Sequence, residues 1–387
     1  MNLQWRIFDN VLASNNLILD VDPRRFDIGA ASFQTLASSG YGPATLTLRN
    51  VPKSLAYEVL NNYMLHRVTA TDGGGFVAYE GFVAVVKATV DSYLYTLSVD
   101  DFASRVRVEW TEVSPNGNGT RAVSTYVDDA TGALTKYGIK ELWEDLHAHG
   151  VITRTQAVQR AQTILGEVNE PLMPELRARR SGAAEHTVEL TLWGYGSTLA
   201  FQQDNTKFTQ TTDIATIVST ILSASGHVQF INIADLSNLL TTGVNITYNS
   251  GGSWKKVDEY LKDVTKYGNS SNLRLLLQIW ENRVPSLAAR PKIAGYYARA
   301  DDTRIWNGGH AAIQPWRVRA GQYLLAEDYP APLDLYADVN SDPRAYLIEQ
   351  TQYDDLTGSY SFTPQKKVDL NLFLGRVRRG VKTIKGT

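Results

Sequence analysis

The chain has 387 residues, 43% hydrophobic and 20% charged, an ordinary globular composition long enough for two to four domains. Its formal net charge is −2 and its pI is near 6.3, so bulk charge gives no argument for nucleic acid or an anionic membrane as partner. It has no cysteine, which excludes disulfides, thiolate zinc sites and a cysteine nucleophile.

The first ten residues, MNLQWRIFDN, lack the basic stretch and apolar run of a signal peptide. No apolar run approaches the roughly 18 residues a membrane span requires. The glycosylation-type triplets at Asn118, Asn245 and Asn269 therefore carry no meaning. Twenty Tyr, eight Trp and 29 Gly suit β-rich modules and protein interfaces.

Residues 1–113 read as strands around one helix. Leu17-Ile18-Leu19 is a short apolar run, and Ala44 to Leu48 alternates as a strand does. Pro52 and Ser54 open a helix carrying Leu55, Val59, Leu60 and Tyr63. Asp72-Gly73-Gly74-Gly75 is a hairpin turn, because glycine accepts the backbone angles a tight reversal needs. Phe76 to Tyr79 and Phe82 to Ala88 flank Glu80-Gly81, which reads as a bulge or short break. Tyr93 to Ser98 and Arg105 to Val113 complete a small barrel or sandwich.

Residues 114–185 begin with a Gly- and Asn-rich break to residue 124 and then turn helical. Ile139, Leu142, Trp143 and Leu146 fall on one helix face, with Gly150 as the stop. A second helix runs from about Thr153 to Leu165, with Ala157, Ala161, Ile164 and Leu165 inward, and Pro171 and Pro174 stop it. An Arg-rich link follows at Arg177, Arg179 and Arg180.

Residues 186–292 mix both periods. A strand spans Thr187 to Trp193, and Gly194 and Gly196 turn the chain. Ile214, Ile217, Val218, Ile221 and Leu222 then define a helix, with Thr212 as N-cap and Gly226 past its end. That helix is expected to pack on the preceding strand. A short helix is expected around Ile233 to Leu240. Ser253 caps a helix carrying Trp254, Val257, Leu261 and Val264 and closed by Gly268, and Leu273 to Trp280 reads as a buried strand.

Residues 293–387 return to strands: Ile293 to Tyr297, Ala320 to Leu325, Ala345 to Thr351 and Ser359 to Phe362, the last two joined by a turn at Asp355 to Gly358. Val368 to Leu374 alternates, and the end is basic.

Candidate chemistry is sparse. His147 and His149 stand beside Glu144 and Asp145, but residues i and i+2 of a helix point to different faces, so a solvated helix end explains them better than a metal. The pairs Asp100-Asp101, Asp128-Asp129, Asp301-Asp302 and Asp354-Asp355 have the residue types of glycosidase carboxylates, yet all sit at turns, where Asp bonds its own backbone. Gly194-Tyr195-Gly196-Ser197 follows a strand but lacks either phosphate-loop spacing. Trp193, Trp254, Trp280, Trp306 and Trp316 have the chemistry to stack sugars, although packing explains them better. Arg376, Arg378, Arg379, Lys382 and Lys385 make a basic tail, best read as a solvated terminus. The expectation is no catalytic, cofactor-binding or metal residue and no enzyme.

Several stretches resemble the phage tail hub and late-control-D baseplate proteins. They are YGPATLTL and FVAYEGFVAVV near the start, EHTVELTLWGYGSTLA followed by TTDIATIVSTILSASG, SWKKVDEYLKDVTKYGNSSNLRLLLQIWENR, PWRVRAGQYL and AYLIEQTQYDDLTGSYSF. Ala320 stands where that family tends to Pro. The resemblance covers more than half the chain, through segment order more than identity. It implies a mainly β chain with an α+β insertion: a tube-like barrel at 1–113, a LysM-like α/β insertion at 186–292 and a second tube-like β domain at 293–387. The helical pair within 114–185 departs from the family pattern and reads as a linker or docking segment, either an elaboration of the insertion or a separate module. It implies a structural virion protein, made in the bacterial host cytoplasm and placed in the tail. Three copies would form a ring contacting the tail tube, tip proteins and the tape measure, with no membrane and with DNA only passing through the lumen. A hexameric distal-tail adaptor, a carbohydrate- or receptor-binding module and a glycan hydrolase are the competing readings.

Overall fold

The computed structural model describes residues 1–11, 15–91, 93–129, 132–168, 175–178, 186–224, 229–233, 236, 239, 241–248, 254–271, 273–289, 294–299, 302–307, 311–326 and 345–364. The fold is mainly β. Nine strands run antiparallel side by side in the order Leu17–Val21, Gln4–Asn10, His66–Thr71, Val77–Val90, Thr187–Gly194, Gly40–Arg49, Asp27–Leu36, Ala345–Asp354 and Tyr360–Pro364. Thr187–Gly194 opens the third sequence segment, yet it is paired on both sides by N-terminal strands.

Register explains the core. Val83, Leu192, Ala44, Phe33 and Tyr353 lie in one cross-strand row, and Val86, Leu190, Leu46 and Ala31 in another. All nine are buried, because a period of two sends them to one face. Trp5 and Phe33 stand five strands apart in the order, yet their rings are 6.4 Å apart. A flat sheet would separate them by roughly 24 Å, so the sheet curls into a half-barrel around Trp5, Phe33, Tyr79 and Tyr353. The carboxylate of Asp355 ties its ends together. It accepts from the Asn2 and Leu3 amides and the Trp5 indole at 2.6, 3.2 and 3.1 Å.

Val77–Val90 is one unbroken strand, so Glu80-Gly81 is not a break. A Cβ at Gly81 would collide with the Trp193 carbonyl and the Tyr79 hydroxyl. Glycine is there for close approach of the neighbouring strand. The helix Lys53–Asn62 covers this strand with Ala56, Val59 and Leu60.

Residues 104–168 form a module with its own core. Arg105–Val113 lies between Thr120–Asp128, antiparallel, and Glu141–Asp145, parallel. The expected helix at Ile139 to Leu146 is thus a strand followed by a short turn at His147–His149. Eight residues fit either period, and the open edge of Arg105–Val113 decided the outcome. Part of the expected break at 114–124 is also strand. The chain reverses at Ser114 to Gly119 through bonds of 3.0 and 2.8 Å, and Thr120–Asp128 begins at once. The helix Arg154–Val168 buries Ala157, Ala161, Ile164 and Leu165, as expected, against Val106, Val108 and Trp110. The stops at Pro171 and Pro174, and Arg179 and Arg180, lie outside the described residues.

In the third segment Ile214–Ala224 is helical and Ile214, Ile217, Val218, Ile221 and Leu222 are fully buried. Its neighbour is the helix Val257–Thr265. Asp213, not Thr212, caps it, accepting from the Ala215 amide at 2.8 Å. Trp254 precedes the second helix instead of lying on its face. Gly226, Ser253 and most of the expected short helix at Ile233 to Leu240 lie outside the described residues. Leu275–Ile279 is the expected buried strand and pairs with Pro285–Ala289.

Ala294–Arg299 pairs with Asp302–Asn307 and Tyr323–Ala326, and the latter pairs with the start of Ala345–Asp354. One strand therefore carries the C-terminal sheet into the half-barrel. The turn at Asp354 to Gly358 is as expected, with Gly358 donating to Asp354 at 2.9 Å. Val368 to Leu374 and the basic tail lie outside the described residues.

Candidate functional site

The sequence candidates are dispersed. His147 Nδ1 bonds the Thr111 hydroxyl at 2.8 Å and its Nε2 lies 3.9 Å from Glu109, while His149 is exposed. Among the described residues no three His, Asp or Glu side chains are grouped to hold a metal. Asp128 pairs with Arg105 at 2.6 Å, and Asp129 accepts from the Ala133 amide at 3.2 Å. Asp354 accepts from the Leu356 amide at 2.9 Å, while Asp355 closes the half-barrel. Asp100 lies on a tight turn, Asp302 begins a strand, and Asp301 is outside the described residues.

Gly194 and Gly196 are packing glycines. A Cβ on either would run into the Tyr41 or Ser39 carbonyl. Ser197 donates to the Gly194 carbonyl at 2.8 Å and Thr198 to the Tyr195 carbonyl at 2.7 Å, so the loop's hydroxyls are used internally. The five tryptophans are half-buried. Trp193 meets Phe82 edge-on and Trp254 covers the Arg107 guanidinium at 3.9 Å. Trp306 lies under Arg304 at 4.7 Å.

The densest polar arrangement is a seam where four stretches meet, and the sequence reading did not single it out. The turn residue Asp72 accepts from Arg317 Nε at 2.9 Å and from the Trp316 indole at 3.3 Å. Its other oxygen takes the Gly74 and Phe76 amides, both at 2.9 Å. Arg319 pairs with Glu281 at 2.9 Å and lies over Trp280, Phe76 and Tyr41 at 4.5, 5.0 and 5.8 Å. The fully buried Glu80 accepts from Arg67 at 3.0 Å and from the Asn282 amide at 2.8 Å. The motif PWRVRAGQYL is thus a brace. Val318 faces inward, and the alternating Arg317 and Arg319 reach acids on turns elsewhere in the chain, Asp72 and Glu281. This alternation was the available sequence signal.

Such an arrangement, with its acids and arginines paired to one another, holds distant stretches of the chain together. Burial pushes the Tyr41 phenol well above its ordinary value, so it stays neutral. Burial alone would raise the Asp72 carboxyl, but Arg317 and the Phe76, Trp316 and Gly74 donors outweigh it and hold the group below the ordinary 3.8. A depressed folded-state value stabilises the fold fully above the unfolded value and is lost as pH falls through the folded one. Acid titration of stability should therefore fall less steeply in Asp72→Asn than in the parent below about pH 4. Equal slopes in urea melts across that window would contradict this.

A shallow, open depression of about 500 Å³ has Phe26, Ile28, Met1 and Leu356 on its walls and Arg24 and Arg25 at its rim. Asp27 is its one carboxylate, without a second acid or a histidine in the lining. It offers no acid–base pair.

No family model matches the chain, and no curated protein matches it in sequence. Among solved structures, the chain is similar to the 43 kDa tail protein of prophage MuSo2 from Shewanella oneidensis. The likeness spans 94% of this chain and 96% of that one, at 8% identity and a TM-score of 0.38.

Proposed function

We propose that this chain is a structural part of a phage-type tail, a hub or baseplate subunit that joins the tail tube to the tip, and that it is not an enzyme. The observation that carries the reading is where the hub-like segments lie. YGPATLTL, FVAYEGFVAVV, EHTVELTLWGYG and AYLIEQTQYDD come from distant parts of the sequence and belong to one curled sheet. The resemblance in segment order thus falls on a single architectural unit.

Two further features agree with a part that works by contact. The seam's acids and arginines are paired with one another, as in a scaffold. Among the described residues, Leu17–Val21 is paired on one side only. Free strand edges are satisfied by neighbouring subunits in closed rings. Three chains, each contributing the half-barrel and the C-terminal sheet as two β units, would match a six-fold tube, with tip proteins and the tape measure as further neighbours.

The test is the particle. Tails purified from a producing host should contain the chain, and antibody against it should label the tail end. Tails that assemble and infect fully without it would overturn the reading.

A further inference from the structure

We infer that the 104–168 module is an inserted domain held against the half-barrel as a rigid arm, and that Ser104 and Lys140 form the joint that locks it. The arm packs Val106, Val108 and Trp110 on its own helix, apart from the core around Trp5 and Phe33. The strands before and after it, Tyr93–Ser98 and Glu175–Ala178, pair with each other antiparallel. The arm therefore interrupts a hairpin of the larger sheet. Its ends meet, the Ala103 amide donating to the Val168 carbonyl at 3.1 Å. Ends this close together are what allow one fold to be inserted into another.

A neck with a single entry and a single exit would let such a unit swing. Here the chain also leaves the arm after Asp129 and returns at Lys140. Between them the helix Ala133–Tyr137 joins the half-barrel's core, its Tyr137 ring edge-on to Phe102 at 5.3 Å. Gly138, with φ at +75°, turns the chain back. The fully buried Ser104 sits among these crossings. Its amide donates to the Lys140 carbonyl and its carbonyl accepts from the Asp129 amide, both at 3.0 Å. Its hydroxyl donates to the Gly138 carbonyl at 2.6 Å and accepts from the Lys140 amide at 2.9 Å. One residue thus ties the entering chain to both ends of the excursion.

Lys140 fixes the arm's direction. Its ammonium donates to the carbonyls of Val99, Asp100 and Phe102 at 2.6, 3.2 and 2.7 Å, all on the half-barrel side of the neck. It also lies over the Phe201 ring at 5.9 Å. The next residue braces the arm against the third segment. Glu141 pairs with Arg107 and accepts from the Gln203 amide, while Trp254 covers Arg107 at 3.9 Å. Hydrogen bonds from an ionised donor are roughly twice as strong as neutral ones. They give this polar junction a rigidity that its lack of a shared apolar core would otherwise deny it.

The experiment measures the distance between the arm and the half-barrel in the full chain. The chain has no cysteine, so spin labels can be placed through Asn61→Cys and Gln162→Cys, exposed positions on the helices Lys53–Asn62 and Arg154–Val168. Electron–electron dipolar spectroscopy should give one narrow distance distribution. Lys140→Met and Ser104→Ala in that background should each broaden it about twofold, as for domains joined by a small polar interface. Arg160→Ala, which removes only an exposed pair with Glu144 inside the arm, should leave it narrow. Hydrogen exchange along Arg105–Val113 and Val77–Val90 should match the parent in all variants, which separates a loosened joint from an unfolded arm. A broad distribution before the joint is altered, or an unchanged one in either joint variant, overturns the inference. So does lost protection throughout Arg105–Val113 in the joint variants, which would make these residues part of the arm's own fold.

Discussion

Ile217→Asp is expected to unfold the chain under conditions where the parent is stable. Ile217 is fully buried on the helix Ile214–Ala224, beside Ile214, Val218, Ile221 and Leu222, which are equally buried. The substitution removes a branched side chain, for which truncation alone costs about 2–5 kcal/mol. It also places a carboxylate on the apolar stripe that faces the core, and an unpaired buried charge costs several kcal/mol more or forces the group to stay protonated. A domain's whole stability is about 5–15 kcal/mol, so the loss is comparable to the total. Urea melts followed by circular dichroism are the check. A variant that melts like the parent would mean that this stripe does not face the core.

The second large effect is expected at Asp355→Ala. The carboxylate, 1% exposed, is the shared acceptor for the Asn2 amide, the Leu3 amide and the Trp5 indole. Leu3 and Trp5 are themselves buried, so water cannot readily replace the lost acceptor. Each orphaned donor costs about 1–3 kcal/mol, and the combined loss should be about 3–5 kcal/mol. The loss should be local before it is global. Gln4–Asn10 should detach first, with Trp5 fluorescence shifting to the red and the N-terminus becoming open to protease. An unchanged Trp5 signal would mean that strand pairing alone holds this edge.

Local chemistry was legible in the sequence, and long-range pairing was not. The helices at 154–168 and 214–224 stand out because their buried residues repeat at i, i+3 and i+4, and the turns at Asp72 and Asp354 because Asp and Gly meet there. The strand Gln4–Asn10 alternates buried Trp5 and Ile7 with more exposed neighbours, but seven residues with arginine and asparagine among them hide the pattern. Thr120–Asp128 escaped notice because it has no fully buried residue. Ile139 to Leu146 satisfied a helical period by chance, and a neighbouring strand with a free edge overrode it. Nothing local says that Thr187–Gly194 inserts between Val77–Val90 and Gly40–Arg49. Arg317 finds Asp72 across 245 positions of sequence. The seam was therefore invisible as a site, though its arginines lay inside a motif already quoted for its resemblance.

The most direct test of the hub reading is a reconstruction of the assembled tail tip that counts copies of this chain. The account predicts three copies in a closed ring, each turning two β units toward the lumen, so that six β units meet the six-fold tube. Six copies per ring with one β unit of each facing the lumen would contradict it and identify a distal-tail adaptor instead.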